Sequence, residues 1–246
     1  KSGVTEEKEW TMNRLPGDYD PKAPKPERWI QFMRELLYEE DIPTLQEFLG
    51  YAMLPSNKGQ AMLLIIGNGG EGKSRICAVM QTLFGSNMNV GSISKLEHDK
   101  FYPAELEAKL FFIDDDMKME ALASSNVIKS VVTCEGKMDM ERKGKQSFQG
   151  IMYASILGLG NGTLKALHDK TQGFYRRQII LQTKNKPKDR VDDPYLKEKL
   201  EEEIPGITLW ALEGLQRLAD NDYRFTISDR SRQIKKELMA EDNNIA

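Results

Sequence analysis

The 246-residue chain has only two cysteines, Cys77 and Cys134, and two histidines, His98 and His168. No CxxC pair or Cys/His cluster surrounds them, which excludes a disulfide scaffold and a zinc framework. The cysteines therefore read as reduced thiols, and the histidines as surface residues. Long apolar runs are also missing. Ala61 to Ile66 is among the longest, far short of the ~20 residues that a membrane span requires, and no signal peptide opens the chain. These absences lead us to expect a protein that stays in a cytoplasmic compartment with no membrane partner. An excess of positive charge is absent too: 35 Lys and Arg stand against 38 Asp and Glu, a formal charge of −3. That argues against a generally nucleic-acid-coating surface but leaves room for a local basic device. There is no internal repeat and no low-complexity tract. The chain opens Lys-Ser-Gly-Val without a methionine, as expected of a piece of a longer protein.

Proline is concentrated at the start, with Pro16, Pro21, Pro24 and Pro26 inside a polar stretch, so residues 1–26 read as an extended lead-in. Ile30, Met33 and Leu37 recur at helical spacing, and Ile42 to Met53 repeats the pattern. Met62 to Ile66 reads as a buried parallel strand and Lys73 to Phe84 as a helix stopped by Gly85. "AELEAKL" (104–110) looks helical. "LFFIDDD" reads as a second buried strand, Ile151 to Leu159 as a third and Gln178 to Leu181 as a fourth. Beyond Pro187 the pattern is helical and charged. Strands separated by helices predict an α/β fold with a parallel sheet covered on both faces. The expected organisation is an N-terminal lead-in and helical segment over 1–50, a nucleotide-binding core over 51–186 and a C-terminal helical segment over 187–246.

The strongest chemical signal is Gly67-Asn68-Gly69-Gly70-Glu71-Gly72-Lys73-Ser74, with Arg75 directly after it. Its spacing is that of a phosphate-binding loop, in which glycines let backbone N–H groups close around phosphate oxygens. The bland reading is a glycine-rich turn, but the flanking strand and helix are the context the motif demands. Lys73 would reach the β- and γ-phosphates of ATP, and Ser74 would hold Mg²⁺. Hydrolysis also needs a carboxylate at a neighbouring strand end, for which Asp114 or Asp115 is placed, while Asp116 reads as a cap for the next segment. Asn161 stands at the tip of the third strand, as a turn residue or as an amide that orients the attacking water. Arg176 and Arg177 are either exposed cations or a source of transition-state charge supplied to a neighbouring subunit. "GKMDMERKGKQSFQG" (136–150) reads as a hairpin with Lys143 and Lys145 at its tip and Lys137 and Arg142 alongside. It is either a solvated edge or a grip on single-stranded nucleic acid.

Taken together these motifs resemble those of the superfamily-3 helicases, a branch of the AAA+ ATPases, and in particular the helicase part of phage, plasmid and mobile-element primases. The resemblance covers almost the whole chain: "LPGDYDPKAPKPERWIQFM" and "LQEFLGYAML" ahead of the loop, "GNGGEGKS" as motif A, "FFIDDD" as motif B, "IKSVVTCEGKMDMERKGKQSFQG" as motif B′, "ILGLGN" as motif C, "GFYRR" as the arginine-finger region and "EEEIPGITLWALEGLQRL" as the helical element behind the core. It implies an AAA+ core assembling as a hexameric ring that uses ATP and Mg²⁺ to move on single-stranded DNA and open forked or origin DNA. A primase domain or primase partner, and a bacterial or phage-infected host cytoplasm, are implied with it. Carried over, Lys73 and Ser74 bind nucleotide and metal, Asp114 and Asp115 serve metal and water, Asn161 is the sensor, Arg177 or Arg176 is the finger, and Lys143 and Lys145 grip DNA. Two places depart from the family pattern: Glu71 stands where Asn is common, and "NGTLKAL" replaces Asn-x-x-Pro. Two alternatives share the loop, an ATP-gated initiator scaffold with slow hydrolysis and a small-molecule phosphotransferase, the latter without a matching acceptor pocket in the pattern.

Overall fold

A computed structural model describes residues 12–118, 121–122, 124–134, 136–162, 165–166 and 172–244. Two helices open the fold, α1 (Glu27–Leu36) and α2 (Ile42–Tyr51), and strand β1 (Met62–Ile66) then leads through the glycine loop into α3 (Ser74–Phe84). There follow β2 (Met88–Val90), α4 (Ile93–His98), β3 (Phe111–Met117), β4 (Ala121–Leu122), α5 (Asn126–Thr133), β5 (Lys137–Met140), β6 (Phe148–Ile151), β7 (Ser155–Gly160) and β8 (Lys165–Ala166). The chain continues through α6 (Gln172–Arg176), β9 (Gln178–Gln182), α7 (Leu196–Glu202), α8 (Ile204–Asp220) and α9 (Asp229–Asn244). The main sheet is parallel with strand order β2-β3-β7-β1-β9. The fold is thus α/β, as the alternation of apolar runs and helical patterns predicts.

The continuously apolar strands result from burial on both faces. In β1, Leu63 and Ile65 enter one core with Phe111, Ile113, Leu157, Leu159, Ile179 and Leu181. Met62, Leu64 and Ile66 enter the other with Phe112, Ile156 and Ile180. The first core is covered by α1, α2, α3, α7 and α8. The second is covered by α4 and α5, with Met140 of the β5–β6 hairpin and Met152 just after it inside this core and Ile234 and Leu238 of α9 packed against it. The flanking segments are tied in by buried charge. Glu47, fully buried on α2, accepts hydrogen bonds from Arg217 Nε at 2.6 Å, Thr226 N at 2.7 Å and Thr226 Oγ1 at 2.8 Å. Glu203 accepts from the N–H groups of Arg28 and Trp29, capping α1 with a carboxylate from the α7–α8 junction.

Three local expectations are corrected. "AELEAKL" is not an α-helix: Tyr102–Leu106 forms a short 3-10 turn, with Pro103 inside it and Ala108 at φ +56° breaking any continuation. The apolar stretch from Ile151 is divided, since Ile151 pairs with Lys137 in the hairpin and β7 begins only at Ser155. Asp116 caps nothing, because β3 runs on through it to Met117, with a register shift against β7 between Asp114 and Met117. His98 is exposed and pairs through Nδ1 with Ser94 O at 2.8 Å, while His168 lies outside the described residues.

α2 and α8 cross closely because each places a glycine at the contact. A Cβ at Gly50 would collide with Ala211 O, and one at Gly214 would lie 2.5 Å from Gln46 O. Gly214→Ala is therefore expected to destabilise the fold by about 1–3 kcal/mol, despite alanine's better helix propensity. A urea titration would show it as a lower midpoint with unchanged slope. An unchanged midpoint would mean that the helices separate without cost.

Candidate functional site

β1, β7 and β3 lie side by side and end at the same sheet edge, so the loops leaving them converge. The glycine loop starts beside the end of β7, where Gly67 N–H donates to Gly160 O at 3.0 Å. Gly69, Gly70 and Gly72 take φ of +100°, +79° and +105°, a backbone path that side chains disfavour and that lets the loop turn tightly into α3. The resulting cleft has a volume of about 340 Å³; Lys73, Ser74, Asp115, Asn161 and Arg190 are among its walls. Residues far apart in sequence and expected to act together are thus brought to one place.

Within it, Lys73 is buried, with its ammonium 2.8 Å from Glu71 Oε2 and 3.4 Å from Asn161 Oδ1. Ser74, at the first position of α3, is hydrogen-bonded to the side chain of Asp115. The strand pleat separates the neighbouring aspartates. Asp115 faces α3, whereas Asp114 accepts from Ile93 N–H at 2.7 Å at the start of α4 and is absent from the cleft wall. Asp116 is exposed at the rim. Burial raises the carboxyl pKa of both Asp114 and Asp115; hydrogen bonds pull the other way and neighbouring aspartate charge adds to the rise. Burial, with Asp115's charge nearby, pushes the Cys77 thiol on α3 up to about 12, so that cysteine is inert.

One oxygen of Asp115, Oδ1, is buried without a hydrogen-bond partner. With the Ser74 hydroxyl it forms an all-oxygen donor pair, which suits a hard divalent cation such as Mg²⁺. Among the described residues no three His, Cys, Asp or Glu converge as a protein cage. A cation here would keep waters and ligand phosphates in its shell, as Mg²⁺ usually does.

Sequence reasoning missed the segment after β9. Arg190 donates from Nη1 to Glu71 O at 2.9 Å, and Asp192, Asp193 and Leu196 complete that side of the cleft. Asp192 pairs with Lys186 at 2.6 Å and lies 3.4 Å from Arg190 Nε. No motif marks these residues, because only the β1–β9 pairing carries the segment over the loop. Arg176 and Arg177 lie elsewhere. Arg177 O accepts from Met62 N–H at the beginning of β1, about 13 Å along the strand from the edge that bears Lys73. Arg176 is exposed, and Arg177 Nη1 donates to Gly173 O.

The basic segment forms the expected antiparallel hairpin, with Lys137 opposite Ile151 and Met140 opposite Phe148. Lys137, Lys143 and Lys145 are exposed, and Gly144 turns the tip at φ +74°. Arg142 is engaged instead: it pairs with Glu107 at 2.5 Å and lies over the Phe148 ring at 4.6 Å.

A family of unknown function (DUF5906) matches residues 65–177, short of half the chain. No curated protein matches. Among solved structures, the chain is similar to the A form of the apo NrS-1 C-terminal region, with TM-score 0.67 and 13% identity over 89% of this chain and 53% of that one. A second apo structure of that region gives TM-score 0.62 and 14% identity over 83% and 53%. The chain spans about half the length of these structures, and at this identity the likeness is one of fold. No helix among the described residues is long and apolar enough to cross a membrane.

The raised carboxyls of Asp114 and Asp115 have a consequence for stability. A carboxyl whose folded pKa exceeds its unfolded value weakens the fold once ionised, and the penalty fades as pH falls through the folded pKa. Asp115→Asn is expected to melt roughly 2 °C above the parent at neutral pH in metal-free buffer. The difference should shrink as pH approaches 4. A lower melting temperature at neutral pH would show that Asp115 stabilises the apoprotein.

Proposed function

We propose that this chain is the ATP-hydrolysing motor of a replicative DNA helicase, working as a ring on single-stranded DNA with ATP and Mg²⁺. The observation that carries the reading is the convergence of Lys73, Ser74, Asp115 and Asn161 in one cleft at the edge of a parallel sheet. Loop N–H groups and the start of α3 cradle the phosphates, and Lys73 sets its charge against the terminal ones. Mg²⁺, when bound, neutralises charge on the β- and γ-phosphates. Ser74 and Asp115 hold its shell, Asn161 orients the attacking water, and Asp114 acts as a positioning residue through the start of α4.

Arg177, with Arg176 as the close alternative, is the finger. Its place at the opposite sheet edge removes it from its own cleft and supports service to the next subunit of a homohexamer. Lys143 and Lys145, exposed at the hairpin tip, face the DNA with Lys137, while Arg142 is committed to Glu107. Unwinding of forked or origin DNA, alongside a primase domain or partner in a bacterial or phage-infected cytoplasm, completes the proposal. An ATP-gated initiator scaffold with slow turnover is the second reading, favoured by the buried ion pair on Lys73.

Titrating single-stranded DNA into the full chain with MgATP is expected to raise hydrolysis. Lys73→Ala should abolish it, and Arg177→Ala should reduce it at least 10³-fold with nucleotide still bound. ATP bound and hydrolysed indifferently to DNA would favour the scaffold. Replacing Lys143 and Lys145 together with alanine should lower the slope of log affinity for single strands against log salt by about 1.4. An unchanged slope would remove the hairpin from the DNA path.

A further inference from the structure

The proposed function gives Lys73 to the terminal phosphates, yet in the fold its ammonium already has an anion. Glu71 Oε2 lies 2.8 Å away, and the two side chains, lysine and glutamate, are only 9% and 3% exposed. The other oxygen of Glu71 accepts the Asn68 N–H at 2.5 Å, so the carboxylate is seated within the loop. Asn161 Oδ1 is the next neighbour of the ammonium, at 3.4 Å. From outside, Arg190 holds the Glu71 backbone carbonyl at 2.9 Å, fixing the residue that carries the carboxylate. Glu71 thus offers Lys73 what a phosphate offers: a close, charge-assisted oxygen in a nearly dry setting. Burial alone would push the Glu71 carboxyl up, but Lys73 and backbone N–H groups outweigh it and hold the carboxyl below its ordinary value, so the charge persists at neutral pH.

We propose that Glu71 is a positioning residue that keeps Lys73 occupied when no nucleotide is bound, so that binding proceeds by exchange of the carboxylate for phosphate oxygens on the lysine. Both anions cannot keep full contact with one ammonium, because they would also be forced against each other where screening is weak. The lysine available to phosphate is then a minor fraction of the population, and apparent nucleotide affinity is reduced by that fraction. The inference rests on the nucleotide reading of the cleft. It adds that the loop is set to bind more weakly than its donors allow.

The test is calorimetric titration of the full chain with a non-hydrolysable MgATP analogue, comparing the parent with Glu71→Gln. The variant keeps the shape and one acceptor oxygen, enough for the Asn68 N–H, but loses the charge and the second acceptor that faces Lys73. If the lysine is free a tenth of the time, binding should tighten about tenfold. A merely structural role predicts the opposite sign, since damage to the loop weakens binding. Unchanged or weaker affinity in Glu71→Gln, with its melting curve intact, would overturn the exchange while leaving nucleotide binding in place. If neither protein binds the analogue, both the exchange and the nucleotide reading fall. Should Glu71→Gln not fold, Glu71→Asn carries the same expectation, with the same reversal as its refutation.

Discussion

Burial of the parallel sheet on both faces governs the rest of this molecule. Each strand of the β3-β7-β1-β9 set sends alternate side chains into two separate cores, so the strand interiors leave no room for polar function. Polar chemistry gathers toward the C-terminal ends of the strands, in the last residues of β3 and the loops after β1 and β7. Strands running in one direction put those ends at one edge. The cleft gathers there, and Arg176 and Arg177, which precede β9 rather than come after it, end up at the other edge.

The flanking segments satisfy the same constraint. α1 and α2 at the start, and α7 and α8 near the end, cover one face together. Their polar groups meet in the seam: Glu47 with Arg217 and Thr226, Glu203 with the first N–H groups of α1, and Ser228 Oγ donating to Asp41 Oδ1 at 2.5 Å. Buried charges of this kind are tolerated when each has hydrogen-bonding partners, and they specify which surfaces meet. The chain after β9 can cross the mouth of the loop because α7 and α8 anchor it beyond.

What was legible in the sequence was whatever depends on local pattern. The run Met62–Ile66 into glycine, the Lys73-Ser74 pair, the apolar approach to the aspartates and the Lys143-Gly144-Lys145 tip all appear where periodicity places them. What failed depends on tertiary pairing. Nothing local separates Ile151, which closes a hairpin, from Ser155, which opens a core strand. The three aspartates are chemically alike, and only the pleat of β3 against α3 and α4 turns Asp115 to Ser74 and Asp114 to Ile93. Arg190 carries no signature, since its importance arises from where β9 delivers it. Glu71 was visible as a departure from the family pattern, but its consequence required the distance to Lys73.

The two sides of the cleft carry opposite, unequal charge problems. On the β3 side, Asp115 and Asp116 line the wall with Asp114 behind them, and burial already disfavours the charge of Asp114 and Asp115. On the other, Lys73 is matched by Glu71. Under the proposed exchange, a nucleotide without metal would have to displace a carboxylate from the lysine and add negative charge beside the aspartates. A metal without nucleotide would relieve the aspartates but leave the lysine pair closed. On the proposed nucleotide reading, the metal–nucleotide complex would answer both at once, with the cation held by Ser74 and Asp115 and the phosphate by Lys73. A site balanced this way would discriminate by charge arrangement rather than by shape, taking the pair more readily than either component alone.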